Sequence, residues 1–229
     1  MQKFRFNRGQ SRGKILKLYS IDNSSEEIIL FLTGWGCDER QFAHLKSEIY
    51  DVLIGYDYSD FELDFDFSKY KTINILAFSA GVFVASLIKH KLPKVSYSVA
   101  VNGNPLSYDK YFGLSENVQN IFKSISKDNI LGFRKEYLVY SEEELIKLNK
   151  CQPHRTLESC MYELKSLQEA YQKPFIPIEY DLIWMSDSDK IFDLEKQKEY
   201  FKDSRVRIIP NAAHFPFFRF STYEEFFIF

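Results

Sequence analysis

The chain has 229 residues, of which 45% are hydrophobic and 27% are charged, and this length supports one sizeable core. A formal net charge of -2 gives no general attraction for nucleic acid or for an anionic membrane surface. No apolar run approaches transmembrane length, and three cysteines without metal-type spacing fit a reduced compartment. We therefore expect a cytoplasmic protein with a single domain over residues 1–229 and without a metal site.

The first part of the chain predicts strands joined by helices. Four apolar or β-branched runs have the length of a strand: 15–19, 28–32, 52–56 and 73–78. The run at 15–19 predicts an edge strand, whereas the continuous apolar run at 28–32 predicts a parallel strand buried on both faces. After that strand, Asp38 is placed to cap a helix. The inner face of this predicted helix carries Phe42, Leu45 and Ile49.

Residues 104–175 interrupt this alternation, because they lack strand-like runs and carry helical patterns. Ser141 with Glu144 three residues later forms a capping box, and apolar residues repeat at helical spacing over 157–171. Strands flank this part of the chain at 95–101, 180–184 and 205–209, with a helix at 193–201. The order predicts an α/β fold of the α/β-hydrolase type, with helices on both faces of a mostly parallel sheet and a helical cap insertion over 104–175.

The stretch over 73–84 has the form of a strand, a sharp turn and a helix, and Ser79 lies at its turn. The frame Ala77-Phe-Ser79-Ala-Gly81 matches a nucleophile elbow with alanine in the first glycine position. Small residues two positions on either side of the serine let the strand and helix backbones approach closely. Ser79 is therefore the candidate nucleophile.

A hydrolytic serine needs a base and an orienting acid, and the chain has four histidines to supply the base. His44 and His90 fall in predicted helices, and His154 lies in the helical insertion, so structural roles explain all three. His214 instead follows the last predicted strand in a loop of small residues. Ligand-binding and catalytic residues lie at the carboxyl ends of the strands in parallel sheets, which makes His214 the candidate base.

Two acids follow the preceding strand, Asp187 and Asp189. Asp189 is favoured because the apolar residues after it continue as the turn that commonly follows a catalytic acid, and Asp187 is the alternative. The order Ser79, Asp189, His214 is the chain order of α/β hydrolases.

The candidate oxyanion hole needs two N–H donors. The residue after the nucleophile, Ala80, supplies one, and a loop after an early strand supplies the other. Trp35, flanked by two glycines, is the natural donor in that loop. The alternative is that this turn only packs its indole on the core.

These stretches resemble one known family. The Gly34-Trp-Gly36 turn, the Ser79 elbow and the run at 212–217 look like those of the pimeloyl-acyl carrier protein methyl ester esterases of biotin synthesis. The short stretch between the first loop and the elbow resembles the compact BioG type more than the longer BioH type. The chain departs from many relatives at Thr33, where they carry histidine, and at Ala77, where the elbow has glycine.

The resemblance implies hydrolysis of the methyl ester of pimeloyl-acyl carrier protein, with release of methanol, no cofactor and an acyl carrier protein as partner. A general short-chain carboxylesterase or thioesterase is the alternative enzyme. A binding module on a hydrolase scaffold is the alternative outside enzymes, and an intact triad argues against it.

Charge counts predict where an acidic carrier would dock. Residues 38–70 hold nine acids and three bases, whereas residues 104–175 hold ten of each. An acidic partner should prefer the second segment, with Arg134 and Arg155 as candidate contacts. Neighbouring bases of the same surface are Lys135, Lys147 and Lys150. The alternative is an ordinary solvated helical face.

Overall fold

The structure, a computed structural model, describes residues 4–5 and 16–228. Its strands are β1 (Phe4–Arg5), β2 (Lys17–Ile21), β3 (Glu27–Leu32), β4 (Asp51–Tyr56), β5 (Thr72–Phe78), β6 (Tyr97–Val101), β7 (Leu182–Ser186) and β8 (Val206–Ile209). They form one sheet in the order β1-β2-β4-β3-β5-β6-β7-β8. All neighbours from β4 to β8 are parallel, and only β1 and β2 add antiparallel pairings. The predicted mostly parallel α/β sheet is therefore confirmed.

The helices are α1 (Ala80–Ile88), α2 (Glu116–Ser124), α3 (Ile130–Phe133), α4 (Glu142–Lys150), α5 (Leu157–Tyr171) and α6 (Leu194–Tyr200). A π-helical turn at Arg134–Leu138 continues α3. Half of the predicted capping box is present at α4: the Ser141 hydroxyl accepts the Glu144 N–H, but the Glu144 carboxylate accepts the N–H of Tyr140 and not that of Ser141. None of the helices in the described residues is long and apolar enough to cross a membrane.

The core lies on both faces of the sheet, as the unbroken apolar run of β3 requires. Alternate side chains of a strand point to opposite faces. Leu30 belongs to the cluster that contains Phe83 of α1. Phe31 packs on the other face, with ring centroids 4.7 Å from Phe42 and 5.6 Å from Phe217.

The predicted edge strand is shifted and is not at the edge. Leu16 precedes β2, and Ile15, with which the prediction began, lies outside the described residues. The two-residue strand β1 pairs with β2 on its outer side, so β2 is the second strand of the sheet.

The predicted helix after Asp38 is wrong beyond its first turn. Asp38 caps a single 3-10 turn at Glu39–Phe42, and Ile49, assigned to the buried face, is 59% exposed. The chain leaves the helix because its backbone groups find other partners. The Lys46 N–H donates to Ser221 O at 2.9 Å, and the Glu224 carboxylate accepts the backbone N–H groups of Glu48 and Ile49.

The helices between β6 and β7 meet the carboxyl edge of the sheet through their own apolar cluster. Phe122, Phe133 and Leu164 pack there with Ile191 and Phe192 from the loop after β7. Trp35 from the loop after β3 also packs against this cluster, so the loops that follow β3 and β7 lie beneath helices.

Candidate active site

Ser79 occupies a strained turn between β5 and α1. Its φ of 53° lies in the left-handed region, which a serine adopts only when the surrounding structure enforces it. A Cβ on Gly81 would collide with the carbonyl oxygens of Leu32 and Thr33, and one on Gly103 would collide with the Ser79 backbone. Glycine at both positions lets the backbones around the turn approach closely.

The structure brings His214 against both Ser79 and Asp189. The His214 Nε2 atom lies 2.9 Å from Ser79 Oγ, and its Nδ1 atom lies 2.9 Å from Asp189 Oδ2. A carboxylate can only accept, so Nδ1 carries the ring proton and Nε2 accepts from the serine hydroxyl. Ser79 and His214 are 8% and 4% exposed, so bulk water hardly competes for this arrangement.

The two candidate acids have different partners. Asp189 Oδ1 accepts the N–H groups of Ile191 and Phe192, at 2.7 and 3.2 Å, which leaves Oδ2 for the imidazole. Asp187 accepts the N–H groups of Asn211 and Ala212 and so supports the backbone of the loop that carries His214. The geometry therefore gives Asp189 the orienting contact and Asp187 a role in shaping the loop.

Asn102, directly after β6, is a supporting residue that the sequence analysis missed. It is buried, and its side-chain amide donates to His214 O at 2.8 Å and to Ser186 Oγ at 2.8 Å. The same loop has a second support, because the N–H of Phe215, the residue after His214, donates to Leu138 O at 2.8 Å. A polar residue at the carboxyl end of a buried strand was the available signal.

The loop after β3 lies beside the elbow. A Cβ on Gly34 would approach the Phe78 ring to 2.8 Å and the Ser79 Cβ to 3.3 Å. Among the described residues, no acceptor takes the backbone N–H of Trp35 or of Ala80. The Trp35 indole meanwhile stacks on Phe122, with ring centroids 5.0 Å apart, so this turn also packs its side chain as the alternative expected.

A cavity of about 440 Å³ opens next to Ser79 and His214. Its apolar lining comes mainly from the helices between β6 and β7: Phe122, Ile125, Ile130, Phe133, Leu138 and Leu157. A second cavity of only about 20 Å³ is lined in part by Ser79 and Ala80. The serine thus borders both a large apolar space and a very small one.

The two arginines singled out in the sequence have different environments. Arg134 lines the large cavity, and burial lowers the pKa of its guanidinium. Within the described residues no carboxylate pairs with it. The Arg155 side chain is only 3% exposed and is paired 2.8 Å from Asp57 and 2.8 Å from Glu163. The prediction that Arg155 docks a carrier at the surface is therefore wrong, because its charge is buried and already paired.

Glu163 was also missed by the sequence analysis. It is fully buried on α5, and its carboxylate accepts N–H groups from Gly36 and Tyr58, both at 3.0 Å. Burial raises the pKa of Glu163, while Arg155 and the two N–H donors oppose that rise. An acid on the apolar face of a helix was the signal, since an isolated buried charge is too costly to be incidental.

Asp57 is held in the ionised form. Burial acts against its charge, but Lys17, the Ser59 hydroxyl and Arg155 outweigh burial and keep the pKa of Asp57 below its ordinary value. The Lys17 ammonium lies 2.6 Å from its carboxylate.

Two cysteine thiols line the cavity without competing as nucleophiles. Burial raises the pKa of Cys160 to about 11, and it raises that of Cys37 further. Both thiols are therefore protonated at neutral pH, and the thiolate is the reactive form.

The remaining histidines lie apart from Ser79. His44 Nε2 lies 2.9 Å from Phe217 O, His154 is exposed beside Arg40, and His90 is exposed after α1. His44 follows the 3-10 turn and does not lie within a helix as predicted.

The sheet order, the elbow turn and the loops that carry Ser79, Asp189 and His214 define an α/β hydrolase. The chain belongs to the BioG family of pimeloyl-acyl carrier protein methyl esterases, whose sequence model matches residues 16–226. The resemblance stated from the motifs is thereby confirmed.

The chain is similar to proteins from two bacteria. The crystal structure of BioG from Haemophilus influenzae matches with a TM-score of 0.83 and 29% identity, covering 93% of this chain and 100% of that one. An uncharacterized protein of Haemophilus influenzae is 29% identical over 210 residues, covering 90% of this chain and 96% of its own. A malonyl-[acyl-carrier protein] O-methyltransferase of Bacteroides fragilis is 29% identical over 181 residues, which are 76% of this chain and 36% of that protein.

Proposed function

We propose that this protein is a serine esterase that cleaves the methyl ester of pimeloyl-acyl carrier protein in biotin synthesis. The observation that carries the proposal is the continuous hydrogen-bonded series from Ser79 through His214 to Asp189, beside an apolar cavity, in a chain of the BioG family. The helical segment 104–175 acts as the cap of the site.

In the first half of the reaction, Ser79 Oγ attacks the ester carbonyl carbon while its proton moves to His214 Nε2. The bond to the methoxy oxygen then breaks, and His214 returns the proton so that methanol leaves. In the second half, His214 Nε2 takes a proton from water while the water oxygen attacks the acyl carbon. The bond between that carbon and Ser79 Oγ then breaks, His214 returns the proton to Oγ, and the pimeloyl carboxylate leaves on its carrier. Asp189 holds the ring and stabilises the imidazolium that forms in each half.

The oxyanion of each tetrahedral intermediate is bound by the N–H groups of Trp35 and Ala80. Both donors lack an acceptor among the described residues, as donors reserved for a substrate should. Donors fixed before the reaction stabilise developing charge more strongly than water does, since they need no reorganisation.

The two cavities support an orientation for the ester. A carrier protein cannot enter a cavity of about 440 Å³, so the acyl chain has to run from Ser79 through that cavity to the surface. The methoxy group then points inward, and the cavity of about 20 Å³ beside Ala80 has room for a group about the size of a methyl. A methyl ester is therefore favoured over esters of larger alcohols.

Arg134 is the residue proposed to meet the carrier. Its guanidinium has no carboxylate partner among the described residues, and it lines the large cavity. Lys127, which is exposed, lines the same cavity and adds positive charge there. An acidic carrier would be attracted to this side of the cap.

One relative gives independent support for a carrier-bound substrate. The Bacteroides fragilis protein carries a name that specifies methyl transfer to malonyl-acyl carrier protein, and part of it is similar to this chain. A methyl ester on an acyl carrier protein is what such a transferase makes and what an esterase removes.

Intact-mass spectrometry of the carrier protein tests the proposal. Methyl-pimeloyl carrier protein incubated with the enzyme should lose the mass of one methylene, as the ester becomes the acid. Ser79→Ala enzyme should leave the mass unchanged. Loss of the whole acyl group would instead identify a thioesterase, and turnover of p-nitrophenyl butyrate alone would identify a general short-chain esterase.

A further inference from the structure

The buried carboxylate of Glu163 lies where the helix α5 meets two loops of the sheet edge. One loop follows β3 and contains Gly36, and the other follows β4 and contains Tyr58. Glu163 Oε2 accepts from Gly36 N and Oε1 accepts from Tyr58 N, so each oxygen holds one loop. A single side chain of the helical segment therefore fixes two loops that follow neighbouring strands.

The same helix holds the β3 loop at a second point. The Trp35 indole Nε1 donates to the Cys160 carbonyl oxygen at 2.6 Å, one helical turn before Glu163. The anchored atoms are thus the Trp35 side chain and the N–H of the next residue, Gly36. Gly36 has a φ of 71°, so the loop turns sharply directly after its second anchor.

The positive charge of Arg155 balances the negative charge of Glu163. Arg155 Nη1 donates to Glu163 Oε2 at 2.8 Å, and Arg155 Nη2 donates to Asp57 at 2.8 Å. A buried carboxylate with this many donors has one fixed rotamer and stays in place. It can therefore hold the loop more tightly than a mobile surface contact.

We propose that Glu163 is a positioning residue that fixes the Trp35 N–H for oxyanion binding by holding Gly36 and Tyr58 from the helix α5. This inference rests on the proposed esterase mechanism and assigns a catalytic consequence to the helical segment. Glu163 touches neither substrate nor reacting atoms, and its effect on rate passes through the β3 loop.

The substitution Glu163→Gln tests the role at nearly constant volume. An amide offers one oxygen acceptor, so it can hold Gly36 or Tyr58 but not both, and its NH₂ group faces the other N–H. Complete loss of an oxyanion donor costs about 10²–10³ in kcat. A displaced donor should cost less, so we expect kcat to fall about 10- to 100-fold, with KM changed less than about twofold.

The matched control is Glu169→Gln, which makes the same chemical change on the same helix. Glu169 is exposed and lies 3.7 Å from Lys165, so this variant should keep the wild-type kcat. A trifluoromethyl ketone, whose adduct with Ser79 carries an oxyanion, adds a readout that a purely structural role would not change. Its affinity should fall in proportion to kcat in Glu163→Gln, while binding of the corresponding alcohol stays constant.

A second variant covers the case in which Glu163→Gln does not fold because Arg155 loses its partner. The double variant Arg155→Gln/Glu163→Gln removes both charges, and Asp57 keeps Lys17. It should show the same loss of kcat and of ketone affinity. A folded single or double variant with wild-type kcat and wild-type ketone affinity would overturn the inference, as would a change confined to KM.

The assay uses p-nitrophenyl butyrate, which separates this inference from the substrate assignment. If Ser79→Ala abolishes butyrate hydrolysis but the methyl-pimeloyl carrier is not cleaved, the substrate is wrong and the Glu163 result still decides the positioning role. If Ser79→Ala keeps its activity, the mechanism is wrong and the inference falls with it.

Discussion

Acidic side chains are buried at both ends of the parallel strands, at the amino ends (the amino edge of the sheet) and at the carboxyl ends (the carboxyl edge). Their partners differ between the two edges. At the amino edge, Asp51 accepts the N–H groups of Asn23 and Ser25 and the side chains of Lys69 and Tyr70. All of these partners hold surrounding chain in place. At the carboxyl edge, two acids with buried side chains contact groups that line the large cavity: Asp189 contacts His214, and Glu163 contacts Gly36.

The difference teaches that burial of a charge does not by itself mark a functional residue. The position of its partner decides the outcome, since partners at the carboxyl edge lie on loops that reach substrate. Substitution of the buried acid at the amino edge should lower stability and leave kcat unchanged. Substitution of Asp189 or Glu163 at the carboxyl edge should lower kcat.

The largest effect is expected at the reacting atoms. Ser79→Ala and His214→Ala should each reduce kcat by about 10³-fold or more, because triad members act as a unit. The double variant should be little worse than either single one. Steady-state kinetics on p-nitrophenyl butyrate, with circular dichroism as the control for folding, measures this. A Ser79→Ala enzyme with a tenth of the wild-type rate would contradict the mechanism.

The next-largest effect on kcat should distinguish Asp189 from Asp187 in the loop after β7. Asp189→Asn should reduce kcat by about 10²- to 10⁴-fold, because an amide cannot stabilise the imidazolium and permits the wrong tautomer. Asp187→Asn should reduce it only a few-fold, since Asp187 contacts the backbone at Asn211 and Ala212. A reversed order of damage would transfer the orienting role to Asp187.

At the amino edge, Asp51→Asn should lower the free energy of unfolding by about 1–3 kcal/mol at pH 7 and leave kcat unchanged. Burial opposes the Asp51 charge, but the N–H groups of Ser25 and Asn23, with Lys69 and Tyr70, outweigh it and lower the pKa of Asp51. A lowered pKa gives stability that is present above the ordinary value and is lost as pH falls through the folded value.

Chemical denaturation of both proteins from pH 7 to pH 3 tests this linkage. The stability gap should begin to narrow as the pH falls below about 4, where the aspartate of the unfolded chain protonates, and should close as the pH passes through the lower pKa of the folded state. A gap that persists at low pH would show that the Asp51 charge is not its cause, and a lower kcat would break the comparison between the edges.

The smallest effect concerns the cap. Arg134→Glu should raise KM for the carrier-bound ester several-fold more than it raises KM for p-nitrophenyl butyrate, because it repels an acidic partner. Lys89→Glu, an equal charge change at an exposed position after the end of α1, is the control and should leave that ratio unchanged. Added salt should weaken only the carrier reaction, since exposed charges are screened within about 8 Å at physiological ionic strength. Equal changes in KM for both substrates would indicate that the cap only covers the site and does not bind the carrier.

Local sequence was enough to predict the sheet and to bring the candidate site together. Ser79, Asp189 and His214 each follow their own predicted strand, and the carboxyl ends of parallel strands meet at one edge. The helices at α4 and α5 were also predicted, since a cap and an apolar period are local signals.

The rest depends on pairs far apart in the chain. Glu163 and Gly36 are 127 residues apart, and Arg155 and Asp57 are 98 apart, so no local pattern relates them. Arg155 was therefore read as a surface base although it is buried. Similarly, the segment at Ile49 left its predicted helix for Glu224, 175 residues away.

The central claim is that Ser79 is the nucleophile of a site that accepts the carrier-bound methyl ester. Peptide mapping after reaction with a fluorophosphonate tests it directly, with labelling rates measured with and without methyl-pimeloyl carrier protein carrying a non-hydrolysable ketone in place of the ester. We predict one adduct, on Ser79, absent from Ser79→Ala and formed more slowly when the carrier analogue is present. An adduct on another residue, or an unchanged labelling rate at saturating analogue, would contradict the claim.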